Sequence, residues 1–216
     1  MNVIALVPLG DQDAPQSGAL VHVRGEPLLS HAVRGLLRSE SVDRVTVAGP
    51  SRYVAGYSAA LRALGAGELI RVVEGGADRA ESVRSALACV PVEPSDVVLV
   101  HDPTRAFTPP ATIRAVVDTM RAGAQAAVPV EPVTDTIKTV DSGDLVSGTR
   151  DRSLLRSTQT PVAFLAHVLR AADPADPLAG LGAKVHTVAG HPHGMRLATS
   201  FDLAVIEALL TAETRQ

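Results

Sequence analysis

Short runs of Val, Ile, Leu and Ala alternate along the chain with longer segments whose apolar residues recur three and four positions apart. The runs at residues 3–7, 44–48, 69–73, 97–100 and 126–130 read as strands, and 28–37, 53–64, 79–90 and 109–120 read as helices. Strand and helix in regular alternation is the rhythm of βαβ units, in which crossover helices cover both faces of a parallel sheet. The run Val97–Val100 is apolar at every position, as a strand buried on both faces must be, and Pro109 suits the opening turn of a helix. A Rossmann-like α/β domain with a mostly parallel sheet of five strands follows.

Past Val130 the rhythm changes. Residues 134–140 and 145–149 are β-prone and are separated by Asp141-Ser142-Gly143-Asp144, a hairpin signal. This hairpin, about 131–152, is either an arm projecting from the domain or an edge of the same sheet. A helix is expected at 161–171 and a strand at 184–188, with the Asp, Pro and Gly-rich stretch 172–182 between them. A last helix opens at Thr199, where Asp202 stands at capping-box spacing. Nothing repeats internally, so one domain covers residues 1–216.

Composition narrows this picture. With 46% hydrophobic residues but no Trp, two Tyr and three Phe, the core must be aliphatic, which again suits a parallel sheet under helices. A net charge of −3 without any basic block argues against the electrostatic footprint of a nucleic-acid or anionic-membrane binder. The single cysteine, Cys89, excludes a disulfide framework and a cysteine zinc site; it fits a reducing compartment and is expected in the core. The apolar start lacks a basic n-region, and no stretch approaches the roughly 18 apolar residues of a membrane span. A soluble, cytoplasmic protein is the expectation.

In an open parallel sheet, ligands bind beyond the carboxyl ends of the strands. Three such ends draw attention: Pro8-Leu9-Gly10; Glu74-Gly75-Gly76-Ala77-Asp78-Arg79; and His101-Asp102-Pro103-Thr104-Arg105. Gly75 and Gly76 allow close approach of backbone to a ligand, Arg79 suits phosphate, and Ser82 lies near a helix start. The alternative is a glycine turn in which Asp78 caps the next helix and Arg79 meets solvent. Asp102, ending a buried strand, is placed to offer a hard oxygen to a metal-bound phosphate, or else merely caps its own turn while Arg105 makes a surface ion pair. His101 reads as a packed, hydrogen-bonded residue, and His186, His191 and His193 as a solvated cluster.

The segments Gly75 to Ser82, Val98 to Asp102 with Arg105, Val128-Pro129-Val130 followed by Asp135-Thr136-Ile137-Lys138, and Asp151-Arg152 before Gln159-Thr160-Pro161 together resemble the methylerythritol phosphate cytidylyltransferases. The resemblance runs through nearly the whole chain. It implies a homodimer whose hairpin arms exchange contacts, with CTP and Mg2+ bound, and transfer of CMP to methylerythritol 4-phosphate or a related polyol phosphate, a step of isoprenoid precursor synthesis. By motif position, Pro8, Leu9, Gly10, Gly75, Gly76, Arg79 and Ser82 would meet the nucleotide and Asp102 the metal. Asp135, Thr136, Arg152 and Thr160 would bind the sugar phosphate, partly across the dimer, and Arg196 and Arg105 would serve catalysis.

The chain departs from the family pattern at the first loop. There it reads Leu9-Gly10-Asp11-Gln12-Asp13-Ala14-Pro15-Gln16-Ser17-Gly18, without the family's arginine and lysine and with two aspartates of the wrong sign for a triphosphate. Ala77 also replaces a family aspartate. The pattern implies slow transfer, with Arg24, Arg79 or Arg196 as replacement cations, or alternatively an impaired paralogue that acts as a nucleotide-binding or regulatory partner. An NAD-binding protein is disfavoured, because no Gly-x-Gly-x-x-Gly follows the first strand.

Overall fold

The computed structural model describes residues 1–11, 18–173 and 175–213. In chain order the regular elements are β1 (Val3–Pro8), β2 (His22–Val23), β3 (Glu26–Pro27), α1 (Leu28–Arg38), β4 (Arg44–Gly49), α2 (Val54–Arg62), β5 (Ile70–Glu74), α3 (Arg79–Ala88), β6 (Val97–Val100), α4 (Pro110–Arg121) and β7 (Ala126–Pro132). There follow β8 (Ile137–Val140), β9 (Val146–Arg150), β10 (Arg156–Thr158), β11 (Val162–Leu165), α5 (Ala166–Ala171), β12 (Val185–Ala189) and α6 (Ser200–Glu213). The main sheet runs β10-β7-β11-β6-β1-β4-β5, with β12 also paired to β7.

Period-two alternation sorts β1 onto two cores. Val3, Ala5 and Val7 pack on one face with Leu29, Val33 and Leu36 of α1, Tyr57 of α2 and Ile113 and Val116 of α4. Ile4 and Leu6 pack on the other with Val83 and Ala86 of α3 and Leu169 of α5. Burial on both faces explains the near-continuous apolar runs of these strands. The five strands expected in parallel all run in one sense: β1 pairs in parallel with β4 and β6, β4 with β5, and β7 lies antiparallel to the same β11 that is antiparallel to β6.

The expected helix at 161–171 needs correction. Its first half is β11, inserted antiparallel between β6 and β7, and only Ala166–Ala171 is helical. A short run such as Val-Ala-Phe-Leu carries no usable period, so the open slot between two strands decides its conformation. The hairpin β8-β9 forms a two-stranded sheet of its own, so it is the arm and not an edge of the main sheet. Cys89 is exposed, not in the core: it follows the last residue of α3 at the helix C-terminus. At α6 the capping box forms as spaced, the Asp202 N–H donating to Thr199 Oγ1 at 3.2 Å and the Thr199 N–H to Asp202 Oδ2 at 2.8 Å.

Candidate functional site

Parallel strands bring the loops after β1, β4, β5 and β6 to one edge of the sheet, and close backbone packing there explains its glycines. The Gly75 N–H donates to Gly49 O at 2.7 Å, and a Cβ on Gly75 would lie 2.7 Å from Gly49 N. A Cβ on Gly10 would press on the Asp78 and Arg79 backbone at 3.2 Å. Pro8 ends β1, paired with Ala48, and the N–H of buried Leu9 bonds Ala48 O at 2.8 Å. Ser82 lies beneath these loops with no exposure; its hydroxyl donates to Leu9 O at 2.6 Å and accepts the Gly76 N–H at 3.1 Å. This side chain, expected at the nucleotide, ties together the two loops that carry Leu9 and Gly76. Asp78 does cap α3, accepting the Glu81 N–H at 2.8 Å.

Arg79 does not simply meet solvent. Its Nη1 lies 3.1 Å from Asp102 Oδ2, and Arg196 Nε approaches the same oxygen at 3.9 Å. Asp102 Oδ1 accepts both the N–H and the hydroxyl of Thr104, at 2.9 and 2.7 Å, so Asp102 caps its turn and also faces two cations. Burial raises its pKa, but Arg79, the Thr104 hydrogen bonds and His101 outweigh that and hold the carboxyl below its ordinary 3.8. The neighbouring His101 is buried and pushed down to about 4, chiefly by burial, so it is neutral near pH 7. Thr160 Oγ1 accepts the Asp102 N–H at 3.1 Å and lies 3.1 Å from His101 Nδ1, which joins one residue of the expected sugar-phosphate set to this cluster.

Arg105 is not a surface ion pair. It donates to Gly194 O at 2.7 Å and Thr158 O at 3.1 Å, clamping together the loops that carry Arg196 and Thr160. Buried Gln159 works beside it, donating to Glu131 Oε2 and His191 O and accepting the His191 N–H. Sequence spacing assigns this glutamine no role; its place three residues before β11, between two loops, becomes visible only in the fold. The remaining expected residues lie apart from Asp102: Asp135 and Thr136 are exposed at the root of the arm, where Arg152 donates to Thr134 O.

Two expectations about charge change. Arg24, a proposed replacement cation, points to α6, where it donates to Thr211 Oγ1 at 2.9 Å. Asp11 is not a bare negative charge at the loop: Arg52 Nη2 lies 2.6 Å from its Oδ1. Arg52 escapes sequence reasoning because the loop after β4 carries no glycine motif of its own. Asp13 lies outside the described residues.

Among the described residues no group of three or more His, Cys, Asp or Glu side chains converges to hold a metal unaided. The donor set here is one carboxylate oxygen, Asp102 Oδ2, facing the space shared by Arg79 and Arg196. That fits magnesium, which is bound through one or two carboxylates with substrate phosphates and water completing its shell. Among the same residues, no helix is long and apolar enough to cross a membrane.

Glycine loops with clustered arginines at the carboxyl ends of a mostly parallel sheet define an α/β protein built to receive an anionic, phosphate-bearing ligand. The model of the 2-C-methyl-D-erythritol 4-phosphate cytidylyltransferase family matches residues 11–212, and the chain belongs to that family. Proteins named 2-C-methyl-D-erythritol 4-phosphate cytidylyltransferase from Saccharopolyspora erythraea and Nocardia farcinica are 48% and 44% identical, covering 97% of this chain and 100% and 94% of theirs. The crystal structure of the enzyme so named from Thermus thermophilus superposes with a TM-score of 0.75 at 28% identity, covering 98% of this chain and 100% of that one.

Proposed function

We propose that the protein transfers CMP from CTP to methylerythritol 4-phosphate. The observation that carries this reading is the buried Asp102 set between Arg79 and Arg196, beside the Gly75-Gly76 loop, in a chain 48% identical to a named enzyme along its length. In the reaction an acceptor phosphate oxygen bonds the α-phosphorus while the bond from that phosphorus to the α–β bridging oxygen breaks, and the electron pair leaves with pyrophosphate. No protein nucleophile is needed, so catalysis rests on alignment and on neutralising charge at the phosphoryl oxygens. Arg79 and Arg196, with side chains 36% and 59% exposed, have donors free to turn from Asp102 to phosphate. Arg105 keeps Gly194, two residues before Arg196, in place. Thr160 holds the Asp102 backbone and is the proposed link to the acceptor. Asp102 would hold magnesium, which when bound supplies positive charge to the nucleotide phosphates.

The reading extends to a homodimer. Val140, Leu145, Val146 and Leu154 are 57%, 68%, 65% and 82% exposed on and beside an isolated two-stranded ribbon, a form marginal in water without a packing partner. A dimer in light scattering at micromolar concentration supports this part, and a monomer overturns it. For the reaction, pyrophosphate release is measured with CTP, magnesium and methylerythritol 4-phosphate. Release that depends on the acceptor is expected. The absence of any lysine or arginine from residues 9–18 favours a second reading, an impaired paralogue serving as a binding partner. CTP binding without release, with this or related polyol phosphates, would establish that second reading.

A further inference from the structure

We propose that Arg52 is the cation that receives the terminal phosphates of the nucleotide, an inference that rests on the nucleotide-binding reading of this site. Ligands gather beyond the carboxyl ends of parallel strands, β1 among them, yet residues 9–18 contain no lysine or arginine. The other arginines described near this edge gather at different groups. Arg79 and Arg196 face Asp102, Arg105 is clamped on two carbonyls, and Arg24 is directed to α6. Arg52, in the short turn after β4, is brought to the root of the loop by its contact with Asp11 at 2.6 Å. The Asp11 N–H donates to Ala77 O at 2.9 Å, so the root is joined to the end of β4 through Arg52 and to the end of β5 through Ala77.

The guanidinium is held in advance of any ligand. It lies 4.8 Å from the centroid of the Tyr53 ring, and Tyr53 is itself packed against the core and 6.2 Å from the buried ring of Tyr57. With side chains 54% and 46% exposed, the Arg52–Asp11 pair contributes little to stability. Its consequence is electrostatic: it offsets the Asp11 charge, which would repel a triphosphate, and leaves the rest of its planar donor fork to phosphate oxygens. As pyrophosphate departs with its electron pair, this fork meets the oxygens that gain charge.

Calorimetric titration of Arg52→Gln and Arg52→Lys with CTP and with CMP, each with magnesium, separates this role from a structural one. In Arg52→Gln, CTP affinity should fall by roughly tenfold to a hundredfold, CMP affinity should hold within about twofold, and Arg52→Lys should lie between wild type and Arg52→Gln. Pyrophosphate inhibition of turnover should weaken in parallel, with the thermal midpoint unmoved. Equal losses for CTP and CMP, or no loss for either, overturn the proposal. If wild type binds CTP no better than CMP, the nucleotide reading fails and Arg52 with it; if wild type discriminates and Arg52→Gln does so equally, only Arg52 is discarded.

Discussion

Strand β6 is bracketed by two buried aspartates, Asp96 before Val97 and Asp102 beyond Val100, exposed to 2% and 7%. Their partners differ in kind. Asp96 accepts the Asn2 N–H at 2.7 Å, the Glu93 N–H at 3.0 Å and, at a long 3.5 Å, the Asn2 side-chain amide. All of these donors are neutral, and they fasten the chain start to the sheet. Asp102 spends one oxygen on Thr104 and turns the other to Arg79 and Arg196, whose side chains reach solvent. A carboxylate satisfied by backbone amides is closed to ligands, whereas one faced by exposed cations can exchange them with a phosphate or a metal. Residue type and burial are alike at the two ends; strand direction separates them, because ligands gather where parallel strands end.

The largest effect should come from Asp102→Asn. Loss of charge stabilisation of this kind lowers kcat/KM by about 10²–10³-fold, while the chain still folds with a modest drop in the urea midpoint, because Asn still accepts from Thr104 but no longer pairs with Arg79. Steady-state kinetics beside urea unfolding checks both halves, and a variant within about tenfold of wild-type activity would break the contrast.

Asp96→Asn should do the reverse, destabilising the fold by about 1–3 kcal/mol through badly matched buried donors with kinetic constants unchanged. Its pH dependence sharpens the point. Burial raises the Asp96 pKa, but the bonds from Asn2 and Glu93 win and hold it below the ordinary 3.8. Below that value the unfolded chain takes up the proton first, so the stability this group contributes is present above pH 3.8 and is lost as the pH falls through the folded value. Urea unfolding of wild type and Asp96→Asn at neutral and strongly acid pH should therefore show a gap that closes in acid; a gap that widens would refute the sign.

The smallest effect is expected from Asn2→Ala. It removes only the 3.5 Å contact and leaves the backbone N–H in place, so the stability should change by no more than about 0.5 kcal/mol. A larger change in the urea midpoint would mean that the side chain, and not the backbone, anchors this end.

The chain's own pattern determined the βαβ order, the strands buried on both faces, the hairpin after β7, and local caps such as Asp78 on α3 and Thr199 with Asp202 on α6. These depend on neighbours within a turn of helix or along one strand, and short-range spacing encodes them. The motif residues Gly75, Arg79 and Asp102 were legible in the same way, as residue types at strand ends, and Thr160 only through the family resemblance. Their partnerships were not. Arg79 meets Asp102, Ser82 turns inward to Leu9, Arg105 spans to Gly194, and Arg52 reaches Asp11, each across tens of residues. Sheet order alone sets which loops share an edge, just as it drew residues 162–165 into a strand between β6 and β7. Tertiary structure decided these matters because a side chain's partner depends on distance in space, and burial then makes the choice binding: a charged or polar group withdrawn from water must bond to whatever the fold has brought within reach.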